Sequence, residues 1–587
     1  MRSMTTQIPQ ELIQKPIRYY IKEKKRMFII GVLTLGATNV LDNITPFLIG
    51  KAIDLLAQKA PTSEVLKMIG LIFGVTVMLA LTRYSWRLSW GKFSHTSAMD
   101  LQNKIFSKFT HLGQSYLKRT PVGELMSIII NDTQAFRMAV GPGILIILDS
   151  IFILIIVVPI MVSISLSWTL KTLILMPLLP FFAKKIMDLL ETYYEKKQTK
   201  FAELSGFSQE IISGMRVIKS YGQQRDHTRL FNRYSRDYET VSNKTALLDA
   251  SFAPPLEFAV TCGCVILLIV GIPDVISGAI TVGSLFTFYQ YIQRMEWPAT
   301  AIGLGISHIQ QGHASFRRVR QLFQIPDEVI DSGDKTIEKF ETLRVVDLSH
   351  QYEASRYSVK NINFELQAGE ILGVIGPTAS GKSTLIDLLA RIINPTSGEI
   401  LVNSRPIQEI KIKSLRGMVT VVPQESFLFS DKVAENISLG AEINSQQIEA
   451  FAKAVELADE IRSFPIQYDT FLGERGINLS GGQRQRLTLA RALARQTPLI
   501  LIDDSLSAVD AQTEEKILKQ LRSLLTTAIV ISHRVESVRW AHKILVLRDG
   551  EQEATGTHDE LLKISPTYKN LYQLQKEGSN ESPPPIH

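Results

Sequence analysis

Gly376, Gly381, Lys382 and Ser383 fall in the spacing G-x-x-x-x-G-K-S, with Pro377, Thr378, Ala379 and Ser380 between the glycines. Residues in this pattern hold phosphate. The glycines let consecutive backbone N–H groups turn onto an anion, and a helix beginning at the lysine adds a partial positive charge. Lys382 then reaches the β- and γ-phosphates of a nucleotide, and the Ser383 hydroxyl, followed by Thr384, takes a place on Mg²⁺. A second anion site is written further on, in Leu479-Ser480-Gly481-Gly482-Gln483, where a hydroxyl and two glycines open a helix. Gln424, after Val-Val-Pro, can reach Mg²⁺ and an attacking water. Asp503 ends a fully apolar run, and His533 ends another, so that both arrive at a strand edge. His533 can contact the γ-phosphate; in isolation it would be an ordinary surface histidine. Tyr352, upstream of the loop, can stack on a purine face or be a plain strand tyrosine.

These residues need a scaffold of strands and helices. The apolar run 371–375 before the phosphate loop and the helical pattern after it supply the strand–loop–helix context that the motif requires. A strand such as 498–503, buried on both faces of a parallel sheet, delivers Asp503 at its C-terminal edge beside the metal. The residues from 341 to 576 therefore read as one α/β domain. At 587 residues the chain is too long for a single core, so at least one further domain is expected.

That domain lies N-terminal and is apolar. Six segments approach the length needed to cross a bilayer: 27–50, 68–86, 144–163, 168–182, 256–272 and 281–305. The fourth is short and carries Pro177 and Pro180, which blurs its edges. Long stretches, 87–142 and 183–255, separate the second span from the third and the fourth from the fifth. Both are basic, while the short connections after spans three and five carry almost no positive charge. The positive-inside rule then puts both termini and both long loops in the cytoplasm. The net charge of +7 belongs to these loops, and a nucleic-acid function is excluded on that ground. Cys262 and Cys264, two apart in an apolar helix, point to different faces and read as small buried hydrophobes.

Long helical loops imply spans that continue as helices into the cytoplasm, and residues 109–117 and 223–231 are the candidate tips that dock on the α/β domain. Asp42, Asp149, Glu257, Arg294 and Glu296 fall within or beside spans, where charge is costly and therefore functional by default. Each is a candidate substrate contact; a carboxylate lining a wet cavity would favour cations. Pairing with Arg294 is the structural alternative. The expected map is an N-terminal segment 1–26, a six-helix membrane domain 27–323, a linker 324–340, a nucleotide-binding domain 341–576 and a disordered tail 577–587.

The whole pattern resembles a half-transporter of the ATP-binding cassette exporter superfamily, over nearly the full chain. Leu479–Gln483 matches that superfamily's signature, residues 507–510, including Asp510, its D-loop, and Gly473-Glu474-Arg475-Gly476 the exporter segment before the signature. The resemblance implies a polytopic all-α membrane domain fused to an α/β P-loop ATPase, with ATP and Mg²⁺ as ligands. It implies two cassettes facing head to tail, each ATP held between one chain's phosphate loop and the other's signature. In that family the residue after Asp503 is glutamate and polarises the attacking water; here it is Asp504, one methylene short. An asymmetric heterodimer with one slow site is the favoured expectation, a homodimer with two slow sites the other.

The expected function is ATP-driven export of hydrophobic or amphipathic, drug-like compounds, with a lipid flippase as nearest alternative and an ATP-gated channel or sensor behind it. Hydrolysis rests on Asp504, His533, Gln424 and Lys382, and metal binding on Ser383, Gln424 and Asp503. Residues 1–14 lack a signal-peptide arrangement and the arginines of a mitochondrial presequence, so a bacterial inner membrane is expected.

Overall fold

The structure, a computed structural model, describes residues 8–174, 179–352, 357–473, 476, 478–524 and 527–580. Pro177, Glu474, Arg475 and the tail beyond residue 580 lie outside them. The chain divides into two compact units, residues 1–110 with 120–325, and residues 111–119 with 326–587.

The first unit is helical. Helices Lys25–Ala57 and Thr62–Phe109 follow a short amphipathic helix, Pro16–Glu23. At 1.5 Å per residue the 48-residue helix Thr62–Phe109 is about 72 Å long, far more than a bilayer's apolar thickness. Spans do continue as helices well beyond the membrane. Among the described residues four helices are long and apolar enough to cross: Lys25–Ala57, Thr62–Phe109, Val122–Ile164 and Gln224–Ile276. They contain the first, second, third and fifth expected spans. The fourth lies partly outside the described residues. The sixth is divided between Val282–Arg294 and Glu296–Gln324, because Arg294 and Glu296 interrupt its apolar run at Met295. Two π-turns, Ile128–Asp132 and Ala139–Gly143, interrupt Val122–Ile164.

The second unit is built on a ten-stranded sheet in the order β5-β4-β1-β2-β10-β9-β3-β8-β7-β6. Its strands are β1 Thr342–Gln351, β2 Tyr357–Gln367, β3 Ile371–Ile375, β4 Ser397–Val402, β5 Arg405–Pro406, β6 Val419–Val422, β7 Leu499–Asp503, β8 Ala528–Ile531, β9 Lys543–Arg548 and β10 Glu551–Gly556. The run β9-β3-β8-β7-β6 is parallel, and β3, β7 and β8 are buried throughout, which is why they read as unbroken apolar stretches. The antiparallel β1, β2, β4 and β5 form the other wing.

Two expected boundaries shift. The segment 324–340 is not a free linker: Arg391 Nη2 donates to the Ile330 carbonyl, and Lys335 bridges to Ile410. The C-terminal helix Pro566–Asn580 runs four residues past the expected end at 576, and buried Tyr568 ties its first turn to the core.

Candidate functional site

The phosphate loop leaves buried β3 and enters the helix Lys382–Leu389. Gly381 sits at φ +94, left-handed, and a Cβ there would strike the Ser358 carbonyl oxygen. A Cβ at Gly376 would run into the Leu547 carbonyl oxygen and the Ser380 hydroxyl. Glycine is thus required at both ends by close backbone approach. Ala379 takes φ +65 between them. Lys382 is buried; its Nζ donates to the carbonyls of Gly376 (2.9 Å) and Pro377 (2.7 Å) and to Ser380 Oγ (3.3 Å). Burial pulls its ammonium below the usual lysine range, and Asp503 and Asp504 pull it back. Thr378 and Ser383 are exposed. Tyr352 meets this helix: its hydroxyl hydrogen-bonds Thr384, and its ring packs edge-on against His350 at 4.6 Å.

The parallel register sets Asp503 opposite Ile531. Burial pushes the Asp503 carboxyl up, as does the neighbouring Asp504, whereas a hydrogen bond from Ser383, together with Lys382 and His533, lowers it. A hydroxyl and a carboxylate in this contact suit Mg²⁺, a hard cation that keeps several waters and takes one or two protein oxygens. No cluster of three His, Cys, Asp or Glu ligands exists among the described residues. Gln424 stands exposed past β6, with no hydrogen bond to Ser383 or Asp503 among the described residues.

Asp504 takes a left-handed φ of +41, and its backbone N–H donates to Ile531. Its buried carboxylate faces His533: Oδ2 lies 3.6 Å from Nε2, and Oδ1 accepts from the His533 N–H at 3.4 Å. Sequence reasoning placed these two residues in one site, and the structure brings them together.

The signature forms a reciprocal cap on the helix Gly481–Ala494. Ser480 Oγ accepts from the Gln483 N–H (3.1 Å), and Gln483 Oε1 accepts from the Ser480 N–H (2.8 Å). Ser480 Oγ spends a lone pair on the cap, which leaves its O–H proton free to donate elsewhere. Gln485, which sequence reasoning missed, locks this helix to the D-loop: its Oε1 accepts from Ala508 N–H (2.9 Å) and its Nε2 donates to Ser507 Oγ (3.1 Å). Gly482 passes so close that a Cβ would sit 3.0 Å from the Ala508 carbonyl. Asp510 Oδ1 caps the next helix through the Thr513 N–H (3.0 Å), and that bond holds its carboxyl low.

Comparison with known families decides the identity. The family of the ABC transporter transmembrane region matches residues 28–298, and the ABC transporter ATPase family matches residues 359–507. The multidrug resistance-like ATP-binding protein MdlA of Buchnera aphidicola subsp. Schizaphis graminum is 33% identical over 95% of this chain and 97% of its own length. The chain belongs to the ABC transporters. It is an exporter-type half-transporter, with one transmembrane region and one ATPase domain that hydrolyses ATP to drive transport, and it works as a dimer in the lipid bilayer. An ATP-dependent lipid A-core flippase of Desulfotalea psychrophila is 30% identical over 84% of this chain and 87% of its own. In fold, the chain matches the structure of a bacterial Atm1-family ABC exporter with ATP bound, at TM-score 0.76 and 24% identity, over 94% of this chain and 99% of that one.

Residues 111–119 of this half-transporter group with the cassette. Ser115 Oγ donates to Glu328 (2.8 Å), and Lys118 lies 3.8 Å from Asp387 on the phosphate-loop helix. The other expected tip, 223–231, belongs to the first unit. In the membrane unit, Asp42 pairs with Arg83 (2.7 Å) and Arg294 (3.2 Å), and Arg294 also reaches Asn43. Those charges are spent on one another. Asp149 accepts from Asn39 (2.9 Å) and Trp297 (3.0 Å) and has no cation among the described residues. Exposed Glu257 and half-buried Glu296 have no side-chain partner among them either.

Proposed function

We propose that this half-transporter exports hydrophobic or amphipathic compounds across a bacterial inner membrane, and that it pairs with a second, homologous half-transporter carrying the water-activating glutamate. The observation that supports it is the contrast within one cassette. Its signature cap is complete, while Asp504 is a methylene short and leans on His533 at 3.6 Å. An intact signature is useful to the opposite nucleotide, so this chain serves one competent site and contributes a slow one. The names of relatives, multidrug-resistance-like and lipid A flippase, support an amphipathic cargo.

In the slow site the phosphate-loop N–H groups and Lys382 bind the phosphates, and Tyr352 packs the base. Ser383 and Asp503 would hold Mg²⁺, which would supply charge neutralisation at the phosphate oxygens. Gln424 and His533 border the transferred phosphate, and Asp504 orients water from too far back. General-base catalysis depends on hydrogen-bond reach before pKa, so binding persists and turnover falls. Asp149, with no neutralising cation among the described residues, is the membrane carboxylate best suited to a cationic headgroup; Glu257 and Glu296 are further candidates.

The test is phosphate release by the full chain alone and co-purified with a homologous glutamate-bearing half, each with cationic dyes or labelled lipids. Feeble hydrolysis alone and a large gain with the partner are expected. Rapid hydrolysis by the chain alone would overturn the pairing. Stimulation by lipid and not by dyes would move the cargo to lipid.

A further inference from the structure

The C-terminal helix Pro566–Asn580 carries Tyr568, Leu571, Tyr572 and Gln575 at i, i+3, i+4 and i+7, one face of a helix. Tyr568 is fully buried, and Leu571 and Tyr572 pack on the sheet's core. Gln575 puts an amide on that inward stripe. Its Oε1 accepts from the Val535 N–H (2.8 Å), and its Nε2 donates to the His533 carbonyl (2.7 Å). Val535 opens a four-residue helix, so its N–H lacks a partner of its own helix. One side chain therefore closes on the backbone at both flanks of Arg534. A neutral amide supplies an acceptor and a donor together on separate atoms, which lets it reach two backbone groups two residues apart.

The helix bearing this clamp is itself fixed. Glu553 on β10 accepts from the Ser565 hydroxyl (2.6 Å) and the Thr567 N–H (3.1 Å), and the Tyr568 hydroxyl meets His558 Nδ1 at 2.8 Å. From the other side, Glu514 binds Arg534 and accepts from the Ser537 hydroxyl (2.5 Å). The His533 loop is held between two helices, with its imidazole facing Asp504.

We propose that Gln575 is a positioning residue for hydrolysis, fixing the His533 backbone so that the imidazole keeps its place beside Asp504. The C-terminal helix is then a working part of the ATPase site, although it touches no nucleotide. This rests on the reading of His533 as part of the hydrolytic site.

The experiment uses the full chain alone in lipid nanodiscs, where the hydrolysis read is that of the site His533 belongs to, comparing Gln575→Ala, Gln575→Glu and His533→Ala. A displacement near 1 Å costs about 10²-fold in rate. Gln575→Ala is expected to lower kcat at least tenfold with the ATP KM within twofold, and to speed deuterium exchange at the Val535 amide. Gln575→Glu keeps the acceptor and regains the donor only when protonated. The ratio of its kcat to that of Gln575→Ala should therefore rise as pH falls from about 8 to about 5, where glutamate begins to protonate. The ionisable neighbours Asp504, Glu514, His533, Arg534, Glu536 and Arg539 are common to both variants, so the ratio reads what the carboxylate at 575 adds, its coupling to those groups included. A flat ratio, or unchanged kcat and exchange in Gln575→Ala, would overturn the proposal. If His533→Ala itself hydrolysed normally, the reading of His533 would fail instead.

Discussion

Asp504→Glu restores the missing methylene. The carboxylate of Asp504 now ends 3.6 Å from His533 Nε2, with its other oxygen held by the His533 N–H. A C–C bond near 1.5 Å, projected along an extended side chain, moves the oxygens outward by about 1.3 Å. Misplacement on that scale costs about 10²-fold, so the substitution should recover about 10² in kcat, ~2.7 kcal/mol of barrier. The left-handed backbone at 504 suits aspartate slightly better than glutamate, and that difference acts on stability rather than on turnover. The assay is phosphate release by the full chain in nanodiscs, with nucleotide affinity measured alongside. Affinity should be unchanged. A kcat within twofold of the starting chain, with ATP still bound, would refute the reach argument and leave water activation to another group.

Asp503→Asn acts on stability and metal together. Burial raises the Asp503 carboxyl, so the folded chain holds that proton more tightly than the unfolded one. Stability therefore falls as pH climbs from the ordinary value of 3.8 through the raised one. Removing the charge should raise the Tm of nucleotide-free protein at neutral pH, by a margin that vanishes in acid, while Mg²⁺-dependent stabilisation by ATP disappears; differential scanning fluorimetry reads both. Ser480→Ala removes a helix cap at a cost of about 1 kcal/mol. It should suppress phosphate release by the dimer while nucleotide labelling at this chain's own phosphate loop persists. Asp42→Asn strips a charge from two arginines and should destabilise the detergent-solubilised protein by about 2 kcal/mol in a thermal ramp. Asp149→Asn should instead change stimulation of ATPase by cationic dyes.

Each nucleotide motif was legible because local pattern determines it. A glycine forced by close backbone approach, a carboxylate ending a strand buried on both faces, and a serine three residues before a glutamine all leave marks in neighbouring positions. The partners were not. Asp42 meets residues 41 and 252 positions away, and Gln485 reaches the D-loop across 22 or 23. Side-chain-to-backbone locks of that kind depend on how elements pack, and periodicity carries no trace of them. The sixth span shows the opposite limit: its charges were visible, yet that Arg294 beside the break at Met295 reaches Asp42 and Asn43 was not. The packed linker and the tail helix were hidden likewise, in contacts with distant strands.

The two anion sites of the cassette also bear on assembly. Lys382 and the loop 376–381 end one strand of the parallel run, β3. Ser480 and its glycines open a helix fastened to the D-loop by Gln485. Among the described residues no hydrogen bond or ion pair joins 480–483 to 376–384. The cap uses one Ser480 Oγ lone pair and the backbone N–H groups of Ser480 and Gln483, and leaves the hydroxyl proton uncommitted among the described residues. On the proposed pairing the nucleotide that meets Ser480 would be carried by another cassette, and the nucleotide of this phosphate loop would find its own second anion site there. In such an exchange the two sites need not be equal, since each draws its signature from one chain and its water-activating carboxylate from the other. On the proposed pairing a shortened Asp504 would slow one site and spare its neighbour, a difference that hydrolysis measured separately at each chain's phosphate loop tests.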